Sequence, residues 1–141
     1  MFVSETRMQV RYAETDRMGI AHHSNYAVWF EEARTQFMNR LGYSYGRVEE
    51  KGVLLPLTDL CCSFKKPARY EQTLIVRTKL VRATCVRLRF AYEVVDADGG
   101  GLVATGQTDH AWTDCELRPV NIMKRMPEIY RALADCIREE D

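Results

Sequence analysis

One short stretch of the chain, residues 10–34 (VRYAETDRMGIAHHSNYAVWFEEAR), carries an aspartate, Asp16, then two adjacent histidines, His22 and His23, and then Asn25. A carboxylate can take a proton from water or attack a carbonyl itself, and an imidazole can orient a substrate or move a proton. The aromatic-rich segment that follows has helical spacing, which puts the group at a helix start. Backbone N–H groups are unpaired there and the helix dipole favours negative charge. A base or nucleophile, a polar orienter and donors for a developing oxyanion are what acyl transfer requires. The same residues also make ordinary structure, since ETDRMG is good turn chemistry and His or Asn at a helix start can be a cap. Residue types alone leave both readings open.

The flanking elements decide how this stretch is held. Residues 7–12 alternate, with Met8, Val10 and Tyr12 on one side and Arg7, Gln9 and Arg11 on the other, which predicts a half-buried strand. Residues 25–41 read as a helix, with Tyr26, Trp29, Phe30, Ala33, Phe37, Met38 and Leu41 on one face. Ser24 is the expected N-cap and Gly42 the expected C′ glycine. A turn-rich stretch, 42–52, precedes four more strand candidates at about 53–64, 74–82, 86–95 and 102–113. The Asp96–Gly101 run is a hairpin turn; strands flank it and no Lys-Ser/Thr or helix follows, which excludes a phosphate loop. A last helix begins at Pro127, with Ile129, Tyr130, Leu133, Cys136 and Ile137 on one side. Strand, helix, four strands and helix predict an α+β domain with a mainly antiparallel sheet.

Composition narrows the function further. Twenty basic and twenty acidic residues leave no net charge, and so no global field toward nucleic acid or anionic lipid. A chain of 141 residues suits one domain spanning 1–141. The start, MFVSETRMQVRY, lacks an apolar leader core, and the mostly apolar run at 53–57 is far short of a membrane span, so cytoplasmic residence is expected. The five cysteines form no CxxC pair and are expected to be reduced and buried. Cys61 falls mid-strand, away from the cationic or helix-terminal setting a nucleophilic thiolate needs. His22, His23 and His110 offer no HxH or HExxH spacing, so no metal or other cofactor is expected.

Set against known families, the chain resembles the hotdog-fold acyl-CoA thioesterases, specifically the group around 4-hydroxybenzoyl-CoA thioesterase and the Tol–Pal-cluster thioesterases. The family's Y-x-[ED]-T-D-x-x-G-[IV] is met by Tyr12-Ala13-Glu14-Thr15-Asp16 with Gly19-Ile20. Its H-x-[NS]-Y is met by His23-Ser24-Asn25-Tyr26, and its aromatic helix by Trp29-Phe30-Glu31 and Ala33-Arg34. Leu41-Gly42-Tyr43-Ser44-Tyr45, Phe64-Lys65-Lys66-Pro67-Ala68-Arg69-Tyr70 and the strand at 106–112 extend the similarity along the whole chain.

The resemblance implies a long central helix wrapped by a curved five-stranded antiparallel sheet, and hydrolysis of a thioester of CoA or of acyl carrier protein. It also implies a homodimer or homotetramer with sites at subunit interfaces. By position, Asp16 matches the family's catalytic aspartate and His23 the histidine after it. Gly19, Ile20, Asn25 and Tyr26 are the residues expected around the substrate. The resemblance implies that Asn25 is structural or water-positioning and that Tyr26 lines the acyl pocket or anchors the helix. Asn25 equally suits a simple cap. The oxyanion donors are expected among the backbone amides of 19–23, as unpaired N–H groups near a helix start suit a developing negative oxygen. Glu31 and Glu32 are rival acids, because some hotdog thioesterases place a catalytic glutamate on the central helix. With the aspartate motif intact, Glu31 is expected to pair with Arg34 or Arg11. Phosphates of the substrate call for cations, and Lys65, Lys66 and Arg69 after the second strand, with Arg82, Arg87 and Arg89 beside a hairpin, are the candidates. Two other functions fit the same fold: hydration or dehydration of 3-hydroxyacyl thioesters, whose H-F-P-G and N-x-x-H-x-x-x-x-Y settings are absent here, and acyl-CoA binding without catalysis.

Overall fold

The structure, a computed structural model, describes residues 1–138. In chain order the elements are β1 (Val3–Gln9), a single 3-10 turn (Tyr12–Glu14), α1 (Ser24–Leu41), α2 (Tyr45–Glu50), β2 (Leu57–Phe64), β3 (Thr73–Ala83), β4 (Arg87–Asp96), β5 (Leu102–Ala111), α3 (Ile122–Arg125) and α4 (Pro127–Ile137). The five strands form one sheet in the order β1-β3-β4-β5-β2, and every neighbouring pair is antiparallel. The predicted α+β, five-stranded hotdog architecture with its C-terminal helix is the one found.

Alternation along the strands builds the inner face. Leu74, Val76 and Leu80 of β3 and Leu88, Phe90, Tyr92 and Val94 of β4 are all buried. Against them lies α1, which buries Tyr26, Trp29, Phe30, Ala33, Phe37 and Met38. Each large side chain removed from water stabilises the fold by about 1.5–3 kcal/mol before entropy is counted, so this seam holds α1 in place. Its tightest point is Gly106 on β5, where a Cβ would drive into the Phe30 ring; Phe30 in turn stacks on Tyr92 with centroids 4.4 Å apart. The helix ends where Gly42, at φ +88°, turns its N–H to the carbonyls of Asn39 and Met38.

Several local expectations change. The first strand covers Val3–Gln9, not 7–12: beyond it Val10 donates to the Gln72 carbonyl, the chain enters the 3-10 turn, and Tyr12 is 76% exposed. Ser24 lies inside α1, bonded through its hydroxyl to His22 Nδ1, while His23 occupies the cap position without a side-chain cap bond. The turn-rich 42–52 stretch contains α2, capped by Ser44 accepting from the Arg47 amide, and α3 was not anticipated. Of the cysteines only Cys136 is buried, whereas Cys61 and Cys115 are exposed, because β2 is an edge strand and Cys115 lies in a turn. Glu31 pairs with neither Arg34 nor Arg11 among the described residues. Arg11 binds Glu14, and Arg34 is buried between the hydroxyls of Tyr45 and Tyr92.

Candidate active site

The segment between β1 and α1 is folded by its own polar groups. Asp16 donates its N–H to the Ile20 carbonyl (2.9 Å) and accepts from Gly19 N–H (2.9 Å), and Gly19 supplies the positive φ (+81°) that closes the turn. The Asp16 carboxylate takes a hydrogen bond from Met18 N–H on Oδ1 (2.8 Å). Its second oxygen has no protein donor among the described residues. The turn is then stitched to the rest of the fold: Ala21 N–H donates to the Ala68 carbonyl (2.7 Å), and Ile20 bridges Arg69.

Glu14 anchors the other side. Its Oε1 accepts from Arg11 N–H and its Oε2 from the Trp29 indole (both 2.8 Å), while its carbonyl accepts from His22 N–H and the Asn25 amide. Burial raises the pKa of this carboxyl, but the Arg11 amide, the Trp29 indole and the Arg11 guanidinium outweigh that and hold it below the usual carboxylate range. Glu14 is therefore a structural anion that ties the Asp16 turn to α1.

These contacts spend most of the amides in which oxyanion donors were expected. Gly19, Ala21 and His22 N–H groups are bonded within the protein, which leaves those of Ile20 and His23 without partners among the described residues. The His23 amide stands at the start of an 18-residue helix, where the dipole adds to its pull on a negative oxygen.

Asp16, Ile20, His23, Tyr26, Phe64 and Lys66 line one cavity of about 420 Å³ between the turn, the start of α1 and the end of β2. Its Tyr26 phenol is pushed up to about 12 by burial and by the neighbouring Cys62, so it stays protonated. Six of the residues singled out from the sequence, Asp16, Ile20, His23, Tyr26, Lys65 and Lys66, thus meet. Gly19 shapes the turn without lining the cavity, and Asn25 turns its amide to the Glu14 and His22 carbonyls. Arg69 faces an adjoining cavity. Arg89 lies elsewhere, near the start of β4, paired with Asp109 near the end of β5 at 2.7 Å. Phe64 and Met18 in the wall were missed as site residues; Phe64 was visible only as the residue that opens the FKKPARY run. His22 packs against His23 with the rings tilted by 33° and centroids 4.0 Å apart, and does not line the cavity.

A second polar system runs under α1. Arg34 donates to Tyr45 and Tyr92, the Tyr92 hydroxyl meets Thr108 Oγ1 at 2.6 Å, and Thr108 meets His110 Nε2 at 2.9 Å. Burial and the Arg34 charge push His110 down to about 4, so it is neutral at pH 7.

Comparison with known proteins agrees with this architecture. The profile of the Thioesterase-like superfamily matches residues 10–134. YneP of Bacillus subtilis (strain 168), provisionally named an acyl-CoA thioesterase, is 37% identical over 133 residues, covering 94% of this chain and 96% of its own. A solved DHNA-CoA thioesterase from Staphylococcus aureus superposes with a TM-score of 0.92 at 34% identity, covering 96% of this chain and 91% of that one. The hypothetical protein TT1821 from Thermus thermophilus does so at 0.88 and 41%, covering 98% and 100%. An aspartate turn docked on the start of a helix that a five-stranded antiparallel sheet enfolds is, by this match over most of its length, that of a family member: the chain belongs to the thioesterase-like, hotdog-fold superfamily.

Proposed function

We propose that the protein hydrolyses acyl-CoA thioesters, with Asp16 as the reacting carboxylate. The observation that carries this reading is the Asp16 cavity, where a carboxylate with one oxygen unspent stands beside the unspent amide at the start of α1. Asp16 takes a proton from the water that attacks the thioester carbonyl, or attacks that carbon itself to form an anhydride that water opens. The oxyanion is held by the amides of His23 and Ile20, and the His23 ring places the carbonyl. The C–S bond breaks, the thiolate leaves and takes a proton from solvent, and the products are an acid and a thiol. Gly19, Ile20, Asn25 and Tyr26 shape the thioester end, and Lys66 and Arg69 face the carrier. Arg89 has no place in this protomer's cavity and is dropped from the set.

Within the superfamily, the Y-A-E-T-D motif favours the 4-hydroxybenzoyl-CoA and Tol–Pal-type group, and we take all 141 residues as one catalytic domain acting in the cytoplasm. Supporting a homodimer or a dimer of dimers is strand β2, an edge that exposes Leu57, Leu60 and Phe64. The decisive experiment is a free-thiol assay over short-chain, long-chain and aromatic CoA esters and an acyl-carrier-protein ester, with wild type and Asp16→Asn side by side. Thiol release that depends on Asp16 is expected. Hydration of crotonyl-CoA, or tight CoA-ester binding with no thiol released, overturns the reading in favour of the hydratase or the binding protein.

A further inference from the structure

In the Asp16 cavity the Tyr26 hydroxyl is idle: among the described residues it has no hydrogen-bond partner. A buried phenol ordinarily finds one. Three side-chain polar atoms are orphaned inside the sealed core of the described residues, Thr6 Oγ1, Thr78 Oγ1 and Trp112 Nε1, and this hydroxyl is not one of them. The 3% of Tyr26 that stays open therefore includes the hydroxyl, and its open side is the cavity.

The ring that carries the hydroxyl is fixed. It packs on Trp29 with centroids 4.6 Å apart and meets Phe64 edge to face at 5.0 Å. Trp29 is itself pinned by the bond from its indole to Glu14 Oε2 (2.8 Å). A donor held in this way needs no reorganisation when charge develops in front of it. Tyr26 also stands in the first turn of α1, three residues after His23, and helical side chains lean back toward the N-terminus. Its phenol is thus carried toward the end where the His23 amide is unspent.

A thioester offers two atoms to such a donor, the carbonyl oxygen and the sulfur. With the phenol pushed up to about 12 and an ordinary thiol at about 8.5, a departing thiolate is too weak a base to take the proton. A tetrahedral alkoxide is a far stronger base. It also carries three lone pairs where the planar carbonyl has two, so the Ile20 amide, the His23 amide and this hydroxyl match the alkoxide and not the ground state.

We propose that the Tyr26 hydroxyl is the third donor of the oxyanion site, engaged as the thioester carbon becomes tetrahedral. The proton stays on the phenol throughout. The hydrogen bond tightens as the C=O π electrons move onto oxygen, and slackens when they return and the C–S bond breaks. An interaction made in the transition state and not before raises kcat and leaves substrate binding alone. This role rests on the thioesterase reading and adds a side chain to it.

The test sets Tyr26→Phe, which keeps the ring and deletes the hydroxyl, beside wild type in the free-thiol assay. kcat is expected to fall roughly 10²-fold with KM within about twofold. The melting curve stays unchanged, since the hydroxyl holds nothing in the protein. A trifluoromethyl ketone analogue of acyl-CoA, whose hydrate mimics the tetrahedral intermediate, inhibits the variant more weakly by the same factor. An S-alkyl-CoA thioether, which has no carbonyl, binds both proteins alike. Three results overturn the assignment and leave the Asp16 reading intact. They are a kcat within about threefold of wild type, a lowered melting temperature with both ligands weakened together, and undiminished ketone inhibition despite a lowered kcat. A wild type that releases no thiol overturns both.

Discussion

At the level of single residues, the site separates two acids that the sequence places side by side. Asp16 keeps an oxygen free toward the cavity, while both oxygens of Glu14 are consumed by the Arg11 amide and the Trp29 indole. Replacing Asp16 by Asn keeps the shape and removes the carboxylate proposed to react, so kcat for a good CoA ester is expected to fall roughly 10²–10⁴-fold with an unchanged melting curve. Glu14→Gln fails differently. Two donors converge on the carboxylate and an amide has one acceptor oxygen, so urea titration reads a loss of about 1–3 kcal/mol. His110 sets a pH limit. Its pKa is about 4 in the fold against about 6.5 in the unfolded chain, so the folded state favours the neutral ring. That contribution is complete above pH 6.5 and is lost as pH falls toward 4. It amounts to about 3 kcal/mol, and a His110→Gln variant measured over the same range lacks that part of the slope.

The elements are held in register by a few close approaches. Phe30 reaches the sheet only because β5 presents Gly106 beneath it, so Gly106→Ala costs about 1–3 kcal/mol by overpacking. Phe30→Leu in the same chain restores part of it, which a double-mutant cycle of melting free energies reads as coupling. Much of this level was legible beforehand. The seven-residue apolar face of α1, the β3–β4–β5 meander and Pro127 at the start of α4 carry long periodic patterns or strong end signals, and they appear near the expected places. The helices α2 and α3, of six and four residues, are too short to show a period, and their caps Ser44 and Asn121 look like ordinary loop residues. Tyr12 misled the strand boundary because it continues the alternation of Met8 and Val10, yet the ladder ends at Gln9. The Val10 carbonyl accepts from Glu71 N–H in place of the in-register Gln72 N–H, and the chain then turns away.

On the scale of the whole molecule, the two sheet edges differ. Strand β1 carries Glu5 and Arg7 along its length, which discourages pairing with another edge. Strand β2 has no Lys, Arg or Pro and leaves Leu57, Leu60 and Phe64 at 47%, 42% and 53% exposure. With the proposed sheet-to-sheet dimer, Leu60→Lys shifts the mass measured by light scattering from dimer to monomer. A variant still dimeric at micromolar concentration would place the interface elsewhere. No described helix is long and apolar enough to cross a membrane.

The chain's own spacing put Asp16, the two histidines and the turn between them at the start of an aromatic helix, because a carboxylate, a glycine and a run of aromatics act over a few residues and leave a local record. The family resemblance then singled out Asp16 and His23. Other properties of the site have no local record. Which amides stay free, why Glu14 is an anchor and not a base, and why Arg69 adjoins the site while Arg89 does not all follow from contacts between residues far apart in the chain. The bridges from Ala21 to Ala68 and from Ile20 to Arg69 bring the FKKPARY run against the aspartate turn. The antiparallel order of the sheet puts Arg89 opposite Asp109. A hydrogen-bond donor or a charge is available for chemistry only when no neighbour in space has claimed it, and neighbours in space are what folding assigns.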